Sequence, residues 1–174
     1  RDSVNLRPNV WPDLETARKL IWETIKLSSV VKFNMDECEF LFGHRDSYKA
    51  TEALIEIGTS LICVSDGSNG STFVTANASA SHPSYRVQTV DATGAGDAFL
   101  AAVALLLSNS EKKISDFSSV ELKSMAAFSN AAGALVATKL GAMEANFTQI
   151  DVMRLCEAEL RPKAHASRYG VPAP

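Results

Sequence analysis

The 174-residue sequence has no apolar stretch long enough to cross a bilayer. Its longest run, Phe99 to Leu107, is about half of the roughly 20 residues a span requires. Only three cysteines are present, Cys38, Cys63 and Cys156, far apart and without a CxxC pair. Neither a disulfide framework nor a zinc site is therefore expected, and a cytoplasmic, reducing location fits best. Charge of one sign is also lacking: 17 Lys and Arg stand among 20 acidic residues with no basic stripe. The clustered phosphate contacts of nucleic-acid binding are thus not expected, and neither nucleic acid nor membrane is a predicted partner. The three histidines, His44, His82 and His165, fall in predicted loops or the tail and receive no role. There is no initiator Met, Arg1-Asp2 does not begin a signal peptide, and Val4-Asn5-Leu6-Arg7 reads as a strand end entering a loop, so the chain reads as a fragment. The sequons at Asn69, Asn77 and Asn146 carry no weight without a secretory route.

What is present is an ordinary globular composition, 46% hydrophobic and 21% charged, enough for one domain with a real core. Asp13, after Pro12, is a good cap for an amphipathic helix with apolar positions Leu14, Ala17, Leu20, Ile21 and Ile25. Val30 to Phe33 is a β-branched strand, and Asn34 caps a helix ending at Gly43. A helix from about Ser47 to Ile57 stops at Gly58, and Leu61 to Val64 is a strand apolar on both faces, as in covered parallel sheets. The turn cluster Ser65 to Gly70 leads to a strand over 72–75. A second run, Tyr85 to Val90, alternates sides and predicts another edge or antiparallel strand. Helices are expected from Asp97 to about Leu107, from Ser118 to Leu140 and from Thr148 to Leu160, with Pro162, Pro172 and Pro174 ending the order. The pattern predicts an α/β layered fold, with a mostly parallel central sheet flanked by helices and sites at the carboxyl ends of the strands. Residues 1–161 form the folded part and 162–174 a tail.

Val87 to Leu107 carries the chemistry: a strand feeds a loop with two glycines, which opens directly into an apolar helix. Gly94 and Gly96 allow close backbone approach, and the unpaired N–H groups and positive end of the helix suit a phosphate. Asp97 lies in the same turn, where a carboxylate repels a phosphate. One explanation is a proton acceptor for an attacking hydroxyl. The other is an ordinary helix cap. A Walker loop would end in Gly-Lys-Ser/Thr and a dinucleotide fold would carry GxGxxG, and neither spacing is met.

The segment Asp91-Ala92-Thr93-Gly94-Ala95-Gly96-Asp97 resembles the DTxGAGD signature of the ribokinase/PfkB carbohydrate kinases, and weaker motifs follow in the family's order from Asn5 to about Ala145. The resemblance implies a ribokinase-like fold whose N-terminal part and lid are missing here, with Asp97 as catalytic base and the amides of Ala95, Gly96 and Asp97, after Gly94, as anion hole. Asn34-Met35-Asp36-Glu37 is similar to the family's NxxE, in which Asn34 would sit by the phosphates and Glu37 would hold magnesium through water. By itself it is equally a capped helix with an acidic first turn. Ser65, Gly67 and Gly70 are similar to the nucleotide loop TxGxxG, and would otherwise be a plain turn. Asn130, Ala132 and Gly133, in a run of small residues, are implied to line the adenine pocket of ATP, with helix packing as the alternative. Asp91, Thr93, Ala137, Gly141 and Ala142 fall where many members hold a monovalent cation such as K+.

Asn5-Leu6-Arg7-Pro8 with Trp11 is similar to the DxNxR segment of fructokinase-like members, which implies Asn5 and Arg7 as sugar contacts. Ser3 takes the place of that motif's Asp, and Glu144 that of a Pro in the cation loop. The implied function is ATP- and Mg2+-dependent phosphorylation of a sugar hydroxymethyl group, with fructose as the leading substrate and a homodimer as the state of the full-length protein. The alternative is a catalytically incompetent nucleotide-binding or structural module.

Overall fold

The computed structural model describes residues 2–3, 11–141 and 146–160. Asn5, Arg7, Ala142, Glu144 and the tail 162–174 lie outside the described residues. The elements are β1 (Asp2–Ser3), α1 (Leu14–Ile25), β2 (Val30–Asn34), α2 (Met35–Phe42), α3 (Ser47–Glu56), β3 (Leu61–Ser65), β4 (Ser71–Val74), β5 (Ser79–His82), α4 (Ala95–Ser108), α5 (Ser119–Ala137) and α6 (Gln149–Leu160).

The strands lie side by side in chain order. β1, β2 and β3 are parallel, whereas β3–β4 and β4–β5 are antiparallel, so the sheet is mixed, with its parallel part on the β1 side. β2 and β3 read as continuous apolar runs because both of their faces are covered. Val31, Phe33, Ile62 and Val64 pack under Ile21, Ile25, Cys38, Leu41 and Leu54 of α1, α2 and α3. Val30, Leu61, Cys63 and Phe73 pack under Phe99 and Val103 of α4 and Leu122 and Met125 of α5. The molecule thus has helices on both faces of the sheet. In α1 only Ala17, Ile21 and Ile25 are buried, while Leu14 and Leu20 stay exposed.

One expected strand is absent and another was unforeseen. Residues 85–90 form no strand, and the sheet is completed instead by β5. The alternation of Tyr85 to Val90 survives in an extended segment whose ends are tied to a helix. Asn130 Nδ2 donates to the carbonyls of His82 (2.9 Å) and Pro83 (3.1 Å), and the N–H groups of Val90 and Asp91 donate to Ala137 O at 2.8 and 3.2 Å. The long helix α5 ends at Ala137 rather than at Leu140, with Thr138 as its C-cap.

α5 starts in a reciprocal cap: Ser118 Oγ accepts from Glu121 N and the Glu121 carboxylate accepts from Ser118 N. The Lys112 ammonium, followed by Ser118, pulls the Glu121 carboxyl down to about 2. A depressed carboxyl stabilises the fold fully above its unfolded value near 4.5 and ceases to do so as pH falls through about 2. Ser118→Ala should cost about 1 kcal/mol in urea unfolding at neutral pH. The difference in urea midpoint between the parent and Glu121→Gln should close as pH falls toward about 2.

Candidate active site

The register of the sheet brings two of the motifs together, for Asn34 at the end of β2 pairs with Ser65 at the end of β3. Asn34 caps α2 through a reciprocal box: its Oδ1 accepts from Glu37 N at 2.8 Å, and Glu37 Oε2 accepts from Asn34 N at 2.7 Å. The cap is unusual in being buried, with Glu37 only 6% exposed. Lys32, also buried, places Nζ 3.6 Å from Glu37 Oε2. Magnesium prefers hard oxygen donors and keeps its waters, so a single buried carboxylate suits a water-mediated partner to a nucleotide-borne ion. Among the described residues no cluster of three or more His, Cys, Asp or Glu forms a protein cage for a metal.

After Ser65 the chain makes a 3-10 turn over Gly67–Asn69, closed by Asp66 N donating to Gly70 O at 2.8 Å. Gly70 has φ +101°, and a Cβ there would overlap the His82 carbonyl oxygen. No other residue fits between β4 and the segment leaving β5.

The loop Asp91 to Gly94 ends in Gly94, φ +83°, as N-cap of α4. Ala95 N donates to Ala92 O at 3.1 Å, so of the three amides expected in an anion hole this one is committed to a turn. Among the described residues the N–H groups of Gly96 and Asp97 donate to nothing, as the geometry of a helix start dictates. The Asp97 side chain is exposed and accepts no hydrogen bond from the helix end, so in this structure it is not a cap. Asp91 acts as a brace: Oδ1 accepts from Thr93 N and Oδ2 from Gly141 N, both at 2.9 Å, and the Thr93 side chain first, followed by these two bonds, holds its carboxyl below the usual range. Of the oxygens expected to hold a monovalent cation, each of Asp91 accepts one hydrogen bond and that of Ala137 accepts two, while Ala142 lies outside the described residues.

A cavity of about 530 Å³ opens between the Ser65–Gly70 turn, the start of α4 and α5. Ser65, Gly67 and Gly70 line one side, Ala95 and Gly96 the base, and Asn130, Gly133 and Ala137 the other. A second concavity of about 490 Å³, between α3 and the sheet, contains none of the motif residues.

Residues 2–149 match the pfkB family of carbohydrate kinases. The chain belongs to this family. Fructokinase-1 of Oryza sativa subsp. japonica is 35% identical over 156 residues, covering 88% of this chain and 47% of the relative. A fructokinase double mutant from Vibrio cholerae O395, in fructose-, ADP- and potassium-ion-bound form, superposes with a TM-score of 0.79 at 27% identity, covering 88% of this chain and 49% of that one. Aminoimidazole riboside kinase from Salmonella enterica, complexed with aminoimidazole riboside and an ATP analogue, gives a TM-score of 0.74 at 30% identity, with 88% and 50% coverage. The pfkB chain spans about half the length of the relatives it matches.

Not every motif residue of this pfkB chain reaches the cavity. Ala132 is buried with Ala102, Ala131 and Val152 in the core beneath α6 rather than along the cavity. The helical period explains the correction: positions 130, 133, 134 and 137 share a face of α5, and 132 lies on the opposite one. The sequence reading also missed the lining residues Tyr85, Val87 and Thr89, taken as a strand, and Phe99. Arg86, an exposed cation at the rim, was passed over for the same reason. Lys32 carried a legible signal, a lysine in the middle of an apolar strand directly before the Asn-x-x-Glu segment.

Among the described residues no helix is long and apolar enough to cross a membrane.

Gly133 is explained by packing as much as by the cavity, since a Cβ there would stand 3.1 Å from Ala95 O. Gly133→Ala should push the start of α4 away from α5, cost about 1–3 kcal/mol in urea unfolding, and weaken nucleotide binding measured by calorimetry.

Proposed function

We propose that the protein carrying this chain transfers the γ-phosphoryl group of ATP to the hydroxymethyl group of a small sugar, fructose first. The observation that carries the reading is the start of α4: among the described residues the N–H groups of Gly96 and Asp97 have no acceptors, Gly96 lines the cavity, and the exposed Asp97 carboxylate next to it accepts no hydrogen bond. Fructokinases among the relatives support the sugar, and the ADP and ATP analogue of the structural neighbours support the donor.

In this reading the nucleotide lies along the Ser65–Gly70 turn with its base toward Asn130 and Gly133. The phosphates point at Gly96 and Asp97. Asp97 takes the proton of the sugar hydroxyl as that oxygen attacks the γ-phosphorus. The bond from phosphorus to the bridging oxygen breaks, and ADP leaves. The amides and the positive helix end meet the charge that develops on the transferred group, which is where most of the acceleration in phosphoryl transfer arises. Glu37 would hold magnesium through water, and the ion would supply further neutralisation of the phosphates. Asn5 and Arg7 hold the sugar. No step runs through a monovalent cation.

Asp97→Asn should leave ATP affinity within about twofold and lower sugar-dependent ADP release by roughly 10²- to 10⁴-fold. Unchanged turnover in that variant would refute the assignment. ATP binding by the parent without any sugar-dependent ADP release would favour a nucleotide-binding module instead.

A further inference from the structure

The turn that closes one side of the cavity carries a chemical liability that its own packing preserves. Of the asparagines in the sequence, only Asn69 is followed by glycine. A side chain on the following residue would obstruct attack of that residue's backbone nitrogen on the asparagine amide, and glycine leaves the approach open. Glycine at position 70 is obligatory, because at φ +101° an added Cβ would overlap the His82 carbonyl oxygen and crowd Pro83. The reactive pairing is thus fixed by the contact between β4 and the segment leaving β5, and only a change at Asn69 removes it.

Asn69 itself is exposed. Its N–H donates to Asp66 O and Asp66 N donates to Gly70 O, both at 2.8 Å, whereas Gly70 N reaches Gly67 O only at 3.2 Å. That distance is the long end of the hydrogen-bond range, so the nitrogen that must attack is held by the longest backbone bond of the turn. The Asn69 side-chain amide donates to Asp66 Oδ2 at 2.9 Å across the same turn. Asp66 is also followed by a glycine, but an ionised carboxylate is a far poorer electrophile than an amide.

We propose that Asn69 is a site of spontaneous deamidation and that the product disables the turn for nucleotide binding, the second part resting on the reading that this cavity holds ATP. Gly70 N attacks the side-chain carbonyl carbon of Asn69 and closes a cyclic imide. The carbon–nitrogen bond of the amide breaks, and ammonia leaves with the Gly70 amide proton. Water then opens the imide at either carbonyl and leaves aspartate or isoaspartate at position 69. In the aspartate product a carboxylate replaces the NH2 group that bonded Asp66 Oδ2, so two like charges meet where a hydrogen bond stood. In the isoaspartate product the main chain gains a carbon directly before Gly70, which has no space to shift against His82 O and Pro83. Ser65, Gly67, Ser68 and Gly70 line the cavity, so either product puts a new negative charge into the wall along which the nucleotide's phosphates would run.

The competing account is that the folded turn protects Asn69 as well as the fold protects any other asparagine. The protein carrying this chain is held in mildly alkaline buffer, and samples taken over time are mapped by peptide mass spectrometry and titrated with ATP by calorimetry. Asn69 should convert roughly tenfold faster than Asn77 or Asn109, which are also exposed. ATP affinity should fall roughly tenfold in the converted protein, and Asn69→Asp should show that loss from the start. Asn69→Gln, whose longer side chain closes the imide ring far more slowly, should hold its starting affinity throughout. Conversion of Asn69 no faster than that of Asn77 and Asn109 overturns the proposal. So does undiminished ATP affinity in the converted protein, or a decline in Asn69→Gln that matches the parent's. A fresh parent that binds no ATP refutes the nucleotide reading, and rapid conversion mapped to Asn69 in that protein upholds the modification site alone. Conversion with loss of ATP affinity, in a parent that shows no sugar-dependent ADP release when fresh, upholds the proposal and refutes the kinase reading.

Discussion

A Cβ on Gly133 would stand 3.1 Å from the Ala95 carbonyl oxygen, so the first turn of α4 rests on the bare backbone of α5. Much of the site depends on that contact. It sets the direction in which the Gly96 and Asp97 amides point and keeps Ala95 and Gly96 at the base of the cavity. The loop before α4 is tied to the far end of the same helix through Val90 and Asp91 to Ala137 O, and through the Asp91 carboxylate to Gly141 N. The helix terminus is thus clamped at both ends of the motif that forms it. Preorganised donors of this kind are effective because they need no rearrangement when charge develops.

The opposite wall is built on the same economy. The Asn34–Glu37 box satisfies the start of α2, and the sheet register sets it beside Ser65. A capped helix and a phosphate-facing motif are therefore compatible descriptions of the same residues. The cap holds Glu37 inside the protein, and a buried carboxylate in turn makes a buried lysine tolerable.

Local signals in the sequence were sufficient for much of this. β2 and β3 are apolar on both faces, and the caps at Asp13, Asn34 and Ser118 depend only on residues three positions away. Gly94 to Asp97 likewise carries its meaning in the chain itself. What could not be read depends on distant partners. Tyr85 to Val90 keeps a strand's alternation, but its ends bond to α5, which lies some 40 residues later in the chain. Ala132 is excluded from the cavity by the rotation of α5, which only the packing of α6 reveals. Whether Asp97 caps its helix or faces the cavity entrance is likewise a matter of side-chain placement. That Lys32 lies beside the first turn of α4 is visible only in the packing.

The central claim is that a nucleotide's phosphates lie on the start of α4, and amide hydrogen exchange tests it most directly. Among the described residues the Gly96 and Asp97 N–H groups donate to nothing, and in the protein alone they should exchange rapidly. With a non-hydrolysable ATP analogue bound they should slow by an order of magnitude or more, while adenosine alone leaves them fast. Equal exchange at both amides with and without the saturating analogue would contradict the account.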